Sequence, residues 1–269
     1  MATPVRPGFG VQGVPCAATL TGMSGTATPR TAAVDDYIKA IYAVDERGEG
    51  PATTTALAKR LGVGASSVSG MLRKLSEQGL VEHRPYGGVR LTDAGARAAL
   101  DVLRRHRLLE TYLVRELGYG WDEVHDEAEV LEHHVSTTLL DRMDERLGHP
   151  RFDPHGDPIP AADGTVAAFS GRRFATLEPG DRGRLVRVDD TEPAMLVWLR
   201  EQGIELGVTL ELVARRPFGG PFQARVSGAG AGSTGGGGDG HDHDLGPELA
   251  DALWVGDVVA GVFHRTSTS

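Results

Sequence analysis

Residues 53–92 read TTTALAKRLGVGASSVSGMLRKLSEQGLVEHRPYGGVRLT. A short helix starts at Thr53 or Thr54, whose hydroxyl can cap the free amides of the first turn, and stops at Gly62. After a tight turn, ASSVSGMLRKLSEQGL sets Val68, Met71, Leu72 and Leu75 on one helical face, with Gly79 closing the helix. Two helices across a short Gly-containing turn make a helix-turn-helix. The next twelve residues, VEHRPYGGVRLT, read as strand, Gly-Gly turn and strand, which is a β-wing. Upstream, TAAVDDYIKAIYAVDE (31–46) places Val34, Ile38, Ile41 and Tyr42 at helical spacing. Residues 31–95 thus compose a winged helix-turn-helix domain. Its third helix is expected in the major groove of double-stranded DNA, offering Ser66, Ser67, Ser69 and Arg73, while Lys74 and the wing residues Arg84 and Arg90 reach phosphates. The alternative use of such a domain is protein or RNA contact. The hydroxyl-rich face offers few bidentate base contacts, so specificity leans on shape and apolar contact.

Outward from this domain, Thr92 caps a long helix through RAALDVLRRHRLLETYLVREL to Gly118. His106 and Glu110 stand at i, i+4 on it and can address one point. A turn at Gly118–Gly120 leads to a helix over roughly 122–134 that carries HDEAEVLEH (125–133). At about 100° per residue, with His125 at zero, Glu129 falls near 40°, Glu132 near −20° and His133 near 80°. Two imidazoles and two carboxylates on so narrow a stripe are costly to hold together without a cation. Mixed nitrogen and oxygen donors suit a divalent transition metal better than calcium or magnesium. The bland alternative is a solvated acidic face. His134 falls near 180° and is expected to be structural or exposed. The segment STTLLDRMDERLG follows, completing a helical region over 96–150. Its apolar residues Leu108, Leu109, Tyr112, Leu113, Leu139, Leu140 and Met143 exceed the need of one helical hairpin, which points to a dimer seam. A self-contained core is the alternative.

The prolines of PRFDPHGDPIP (150–160) break the helical pattern, so 151–174 reads as a linker in which His155, like His149 before it, has no convergent partners. His83 and His264 likewise show none. From about 175 to 269 the texture changes to short alternating runs, among them GRLVRVDD, GVTLELVAR, FQARV and DALWVGDVVAGVFHR, which read as a small β-barrel. One short helix, PAMLVWLREQGI, interrupts them. The Gly-rich run at about 228–244 reads as a flexible loop insertion whose His241 and His243 have no rigid partner. Residues 1–30, rich in Gly, Pro, Ala and Thr, read as a disordered tail, and Met23 is a candidate start.

The 269 residues carry a formal net charge of −9. That sign argues against nucleic acid, but its distribution does not. Residues 31–105 hold 11 Lys/Arg against 9 Asp/Glu, whereas 106–160 hold 5 against 13. DNA contact in front of cation binding fits this order. The one cysteine, Cys16, excludes a disulfide framework and cysteine-rich zinc modules. No apolar run approaches the ~18 residues of a membrane span, so a cytoplasmic protein without membrane contact is expected.

A winged helix, a long helix with HRLLE, then VHDEAEVLEHH, a proline-rich linker and a small barrel together resemble the diphtheria-toxin-repressor family over about residues 31–265. The family consists of metal-dependent transcriptional regulators, mainly α with a C-terminal SH3-like (FeoA-like) barrel. The resemblance implies an ancillary metal site on His106, Glu110 and His125, completed from the barrel by Glu192. Met195 stands where the family has a glutamine ligand. It implies a primary site on Glu129, Glu132 and His133, completed by Asp36. Iron-type members carry a methionine and a cysteine at the positions of Asp36 and Glu129, and manganese-type regulators carry Asp and Glu, as here. Certain manganese-type members add an acidic ligand three residues after the aspartate. That position is Lys39, so a binuclear cluster of that kind is not expected.

Replacing a thioether and a thiol by carboxylates hardens the site, which favours Mn2+, lowest in the Irving–Williams order. The expectation is a dimeric Mn2+-dependent repressor that binds palindromic operator DNA, without a small-molecule substrate and without enzymatic activity. The alternatives are an Fe2+-dependent regulator of the same family, a metallohydrolase built on the His/Glu cluster, and a metal-independent winged-helix regulator. Against the hydrolase, no H-E-x-x-H is present.

Overall fold

In the computed structural model, residues 30–47, 51–84, 88–228 and 240–260 are described. Those from Thr31 onward belong to one unit. The tail over 1–29, the tip of the wing, most of the Gly-rich run and His264 lie outside the described residues, as does the side chain of Arg84.

The winged helix forms as its sequence dictates. Helix α1 (Ala32–Arg47) buries Val34, Ile38, Ile41 and Val44 against α2 (Thr54–Leu61) and α3 (Ala65–Glu77). Thr53 caps α2 by accepting the Ala56 amide at 3.2 Å, and Gly62 ends it at φ +65°. Strands β1 (Val81–Arg84) and β2 (Gly88–Leu91) pair antiparallel, Val81 opposite Leu91. Thr92 does two jobs at the exit from the wing. Its hydroxyl accepts the Gly95 amide at 3.1 Å, capping α4 (Asp93–Leu117), and donates to the Gly79 carbonyl at 2.7 Å. The end of α3 is thereby tied to the start of α4.

Helix α4 spans 25 residues, about 37 Å at 1.5 Å per residue. It carries the rest of the helical layer: α5 (Val124–Leu131) and α6 (Thr137–Leu147). Helix α5 is shorter than the pattern implied, and Glu132 to His134 continue it only as a turn. The expected dimer seam is largely consumed inside the chain. Leu108, Leu109, Leu113 and Leu140 are buried, and Leu108 and Leu140 pack with Ile159 in a core of their own. Of that set Leu139 stays exposed, and so do Leu117 and Val130, which the sequence did not single out.

Beyond the helices, β3 (Arg172–Arg173), β4 (Arg182–Val188), β5 (Thr209–Arg215), β6 (Phe222–Ser227), β7 (His241–Leu245) and β8 (Leu253–Val259) form one antiparallel sheet in the order β3-β8-β4-β5-β6-β7. The sheet is open among the described residues, because β3 and β7 do not pair. Helices α7 (Pro193–Glu201) and α8 (Pro247–Asp251) cover its core of Phe174, Leu185, Leu196, Leu210 and Leu253. Strand β7 corrects one expectation: the end of the Gly-rich run is not loop but an edge strand, Val226 pairing with His241. Its HDHDL alternates, and Leu245 supplies the buried position.

The proline-rich segment is likewise no slack linker. Asp153 and His155 to Pro160 are buried. The buried guanidinium of Arg104 donates to the Pro160 carbonyl at 2.9 Å and that of Arg107 to the Pro158 carbonyl at 2.8 Å. Prolines lack amides to satisfy, so α4 arginines can take up their carbonyls and clamp the segment. On its other side the His155 carbonyl accepts the Val188 amide at 2.9 Å. Gly156, at φ +89°, passes so close to β4 that a Cβ there would lie 2.0 Å from the Val186 carbonyl oxygen. Gly156→Ala is therefore expected to destabilise the protein by about 2–4 kcal/mol, through strain at positive φ plus a backbone clash. Urea unfolding measures this; an unchanged midpoint would remove the close approach.

Candidate metal centre

Helices α1, α4 and α5 and the segment after α6 deliver acidic and imidazole groups to one region. Three of them meet in a first cluster: Asp36 from α1, with Glu132 and His133 from the turn after α5, whose ligand atoms lie within 4.8 Å of one another. His133 Nε2 is 3.1 Å from Asp36 Oδ1 and 3.8 Å from Glu132 Oε1. The first contact has ion-pair distance without hydrogen-bond alignment, since Asp36 Oδ1 is buried with no hydrogen-bond partner, as is His133 Nδ1. Burial lifts the Asp36 carboxyl above its usual range, despite the counteracting charges of His133 and Lys39. Glu129 stands at the edge of this cluster. It does not join the other three by distance, and instead meets Lys39 and, at 3.6 Å, His125 Nε2. Lys39 reaches both Glu129 and Glu132, and these carboxylates hold its ammonium charged against the penalty of burial.

A second cluster centres on Glu110, which is fully buried. His106, one turn before it on α4, has its Nε2 2.9 Å from Glu110 Oε1 and 3.2 Å from His125 Nδ1. His125 Nδ1 lies 3.3 Å from Glu110 and 3.5 Å from Asp190 Oδ2. The i, i+4 reading of His106 and Glu110 thus describes their geometry. On the far side of Glu110 stand Asp153 and His155, all three buried. His155 Nε2–H donates to the Trp121 carbonyl at 2.6 Å, which leaves Nδ1 buried and without a hydrogen-bond partner, 3.9 Å from an equally unpartnered Glu110 Oε2. With Nε2 so committed, Nδ1 is the ring atom that could ligate an ion.

His106 joins the clusters. Its Nδ1 donates to Glu132 Oε2 at 2.6 Å while Nε2 faces Glu110 and His125. Burial disfavours its charge, yet Glu110 and Glu132 raise its pKa to about 9. Hydrogen bonds donated by its ring to Asp190 and Glu110 lift His125 to about 10. Glu110, in turn, is held well below the carboxylate range by His106 and His125 despite its burial. Burial beside Asp157 and Glu110 pushes Asp153 up to about 8. The donors therefore satisfy one another by retaining protons, and the four orphaned atoms on Asp36, His133, Glu110 and His155 are where this compromise fails. Carboxylates and imidazoles with unmet lone pairs are the donor chemistry of a divalent transition ion.

Among the expected ligands, the structure brings Asp36, Glu132 and His133 together, and separately His106, Glu110 and His125. Glu192 is not brought in: it is exposed before the first residue of α7, and Asp190, two residues earlier, faces His125 instead. In DDTEPAML no periodicity says which acid turns inward. Asp153 and His155 were also missed, being loop residues whose convergence on Glu110 depends on the clamp by Arg104 and Arg107. His134 is exposed, and the exposed His149 pairs with Asp144 at 3.0 Å.

Of the residues expected to meet DNA, Ser66, Ser67, Ser69, Arg73 and Lys74 are exposed on α3 and Arg90 on β2. Ser69 is partly committed, its hydroxyl donating to the Ala65 carbonyl at 3.0 Å. No described helix is long and apolar enough to cross a membrane.

Comparison with known proteins adds the following. Residues 31–89 match the iron dependent repressor N-terminal DNA binding domain, 92–161 the iron dependent repressor metal binding and dimerisation domain, and 173–256 the FeoA domain. A solved structure of a manganese-dependent transcriptional repressor in complex with manganese is 49% identical, with a TM-score of 0.76, over 82% of this chain and 98% of that one. An HTH-type transcriptional regulator of Methanocaldococcus jannaschii is 36% identical over 41% of this chain and 88% of its own length. The iron-dependent repressor of Mycobacterium tuberculosis is 34% identical over 57% of this chain and 64% of its own length.

With both imidazoles charged at neutral pH, a metal ion can use them only as their protons leave. Metal uptake at pH 7.5 is expected to release about one to two protons and to tighten as pH rises towards 9–10. For the metal-free fold the sign is opposite. Raised histidine pKa values contribute stability that is complete below about pH 6.5 and lost on passing 9–10. Calorimetry of Mn2+ binding in buffers of different ionisation enthalpy checks the release; heats independent of buffer would contradict it.

Proposed function

The chain belongs to the diphtheria-toxin-repressor family of metal-dependent transcriptional repressors, and from that premise we propose that it is a Mn2+-dependent repressor, acting as a homodimer on palindromic operator DNA in the cytoplasm. The observation that carries the choice of metal is the donor set of the Asp36 cluster together with Glu129 at its edge. Asp36, Glu129, Glu132 and His133 offer three carboxylates and an imidazole with no sulfur, and hard oxygen donors suit Mn2+. The kinship with a manganese-dependent repressor supports this, and that with an iron-dependent one keeps Fe2+ as the second reading.

When bound, the ion supplies the positive charge that lets carboxylates from separate helices share one point. The chain's own residues define what that does. Asp36 belongs to α1, whose apolar face packs against α2 and α3, whereas Glu129, Glu132 and His133 lie beyond α4. Drawing Asp36 to His133 fixes α1, and with it the exposed face of α3, relative to α5. Ser66, Ser67 and Arg73 then meet base edges, and Lys74 with Arg84 and Arg90 meets phosphates. By reciprocity, DNA tightens metal binding by the same factor. An ancillary site on His106, Glu110 and His125 takes Asp190 as its barrel ligand, with Asp153 and His155 on the other side of Glu110. Exposed Leu117, Val130 and Leu139 contribute to the homodimer seam. Repression of manganese uptake when the ion is plentiful is the expected outcome.

Fluorescence anisotropy with DNA from upstream of the nearest metal-transporter gene tests the reading, in EDTA and then with Mn2+, Fe2+ and Zn2+ titrated separately. Tight binding with Mn2+ at concentrations where Fe2+ acts weakly is expected. An equal or stronger Fe2+ response would favour the iron regulator, and binding unaffected by EDTA would exclude metal control. Glu129→Ala should abolish the metal response while the protein stays folded. Asp36→Met combined with Glu129→Cys should move preference towards Fe2+.

A further inference from the structure

Lys39 stands one helical turn after Asp36 on α1, and its ammonium lies 2.6 Å from Glu129 Oε1 and 2.7 Å from Glu132 Oε1. The lysine side chain is only 15% exposed and that of Glu132 is fully buried. This is not a solvated surface pair, whose contacts are exchanged freely with water. It is a largely buried cation held between a fully buried carboxylate and that of Glu129, which is 37% exposed at the edge of the cluster. We propose that Lys39 is a tethered cation that holds the Glu129–Glu132 position in the metal-free protein, so that a divalent ion loads by displacing it. The inference rests on the proposed role of Asp36, Glu129, Glu132 and His133 as ligands.

Three observations carry it. The first is position: Nζ touches one oxygen from each glutamate, Oε1 in both. An ammonium and a divalent ion cannot both sit on those oxygens in a half-buried site, since like charges a few ångströms apart are weakly screened there. The second is what Lys39 leaves undone. Glu129 and Glu132 are satisfied, but Asp36 Oδ1, 3.1 Å from His133 Nε2, remains buried without a hydrogen-bond partner. The lysine covers one half of the donor set and the other half is left for an incoming ion.

The third is charge. The three carboxylates of Asp36, Glu129 and Glu132 face one ammonium, and a divalent ion in its place offsets one more charge. Lysine suits displacement because its charge rides on a flexible four-carbon stem with three rotatable donors, unlike the rigid fork of arginine. The stem can swing towards solvent as the ion arrives. Competition of this kind weakens the site and sets the metal concentration at which α1 becomes fixed.

The test uses the full chain stripped of metal, with bound and free Mn2+ counted by the electron paramagnetic resonance of the free ion and thermal melting recorded in parallel. Lys39→Met removes the charge and keeps the stem, and Lys39→Arg keeps the charge. Lys39→Met should bind Mn2+ roughly tenfold or more tightly, because no charge need be displaced. Its metal-free form should melt lower, with the loss restored by Mn2+. Lys39→Arg should stay close to the original protein. Unchanged or weaker Mn2+ binding by Lys39→Met, with equal loss of stability in both states, would make Lys39 a structural bridge only and overturn the inference. His133→Ala separates the two levels: if it binds Mn2+ as the original does, the ligand assignment itself fails.

Discussion

The contact on which the rest depends is that of the His106 imidazole, 2.6 Å from Glu132 on one edge and 2.9 Å from Glu110 on the other. Glu110 and Glu132 are both fully buried, and a buried carboxylate survives only with partners that meet its charge. His106 meets two at once, so its ring must lie between α4 and the end of α5 whatever else the chain does. From this constraint follow the seat of α5 on α4, the aim of Glu132 towards α1, and the gathering of His125, Asp190 and His155 around Glu110. The arrangement is a set of carboxylates and imidazoles meeting one another's charge, with Lys39 between Glu129 and Glu132. It holds the donors close to where an ion needs them without satisfying all of them.

Much of the architecture was legible because local patterns and tertiary demands agree. Thr53, Gly62, Thr92, Gly118, Ser136 and Gly148 cap or close helices α2, α4 and α6 as their residue types imply. The apolar spacing of α1 and α3 matches their buried faces. Where one helix supplied both members of a pair, as with His106 and Glu110, spacing sufficed. The helical wheel over HDEAEVLEH was informative in a different way. It placed four donors on one stripe, and the structure shares that stripe between two clusters: His125 and Glu129 face His106, and Glu132 and His133 face Asp36.

What was not legible depends on contacts far apart in the chain. Asp153 and His155 look like ordinary residues of a proline-rich linker, and only the bonds of Arg104 and Arg107 to the Pro160 and Pro158 carbonyls make that linker a wall of the site. Glu192 and Asp190 are two residues apart in a segment without period, so the choice between them is made by how β4 hands over to α7. The HDHDL run looks like the continuation of a polar glycine loop. Its pairing with β6, and the burial of Leu245, make it the edge strand of an open sheet. In each case the signal is tertiary, and composition pointed the other way.

The account makes one element, α1, the receiver of the metal signal, since it carries Asp36 into the cluster while its apolar face holds the DNA-reading helices. Hydrogen exchange of the metal-free protein, followed by mass spectrometry with and without saturating Mn2+, measures this most directly. The account predicts that amides over 32–47 and 124–133 slow together on Mn2+ addition, with little change in the strands of the C-terminal sheet. Exchange of α1 that ignores Mn2+ while the α5 region responds would contradict it, because the ion would then bind without joining the DNA-binding unit to the rest of the chain.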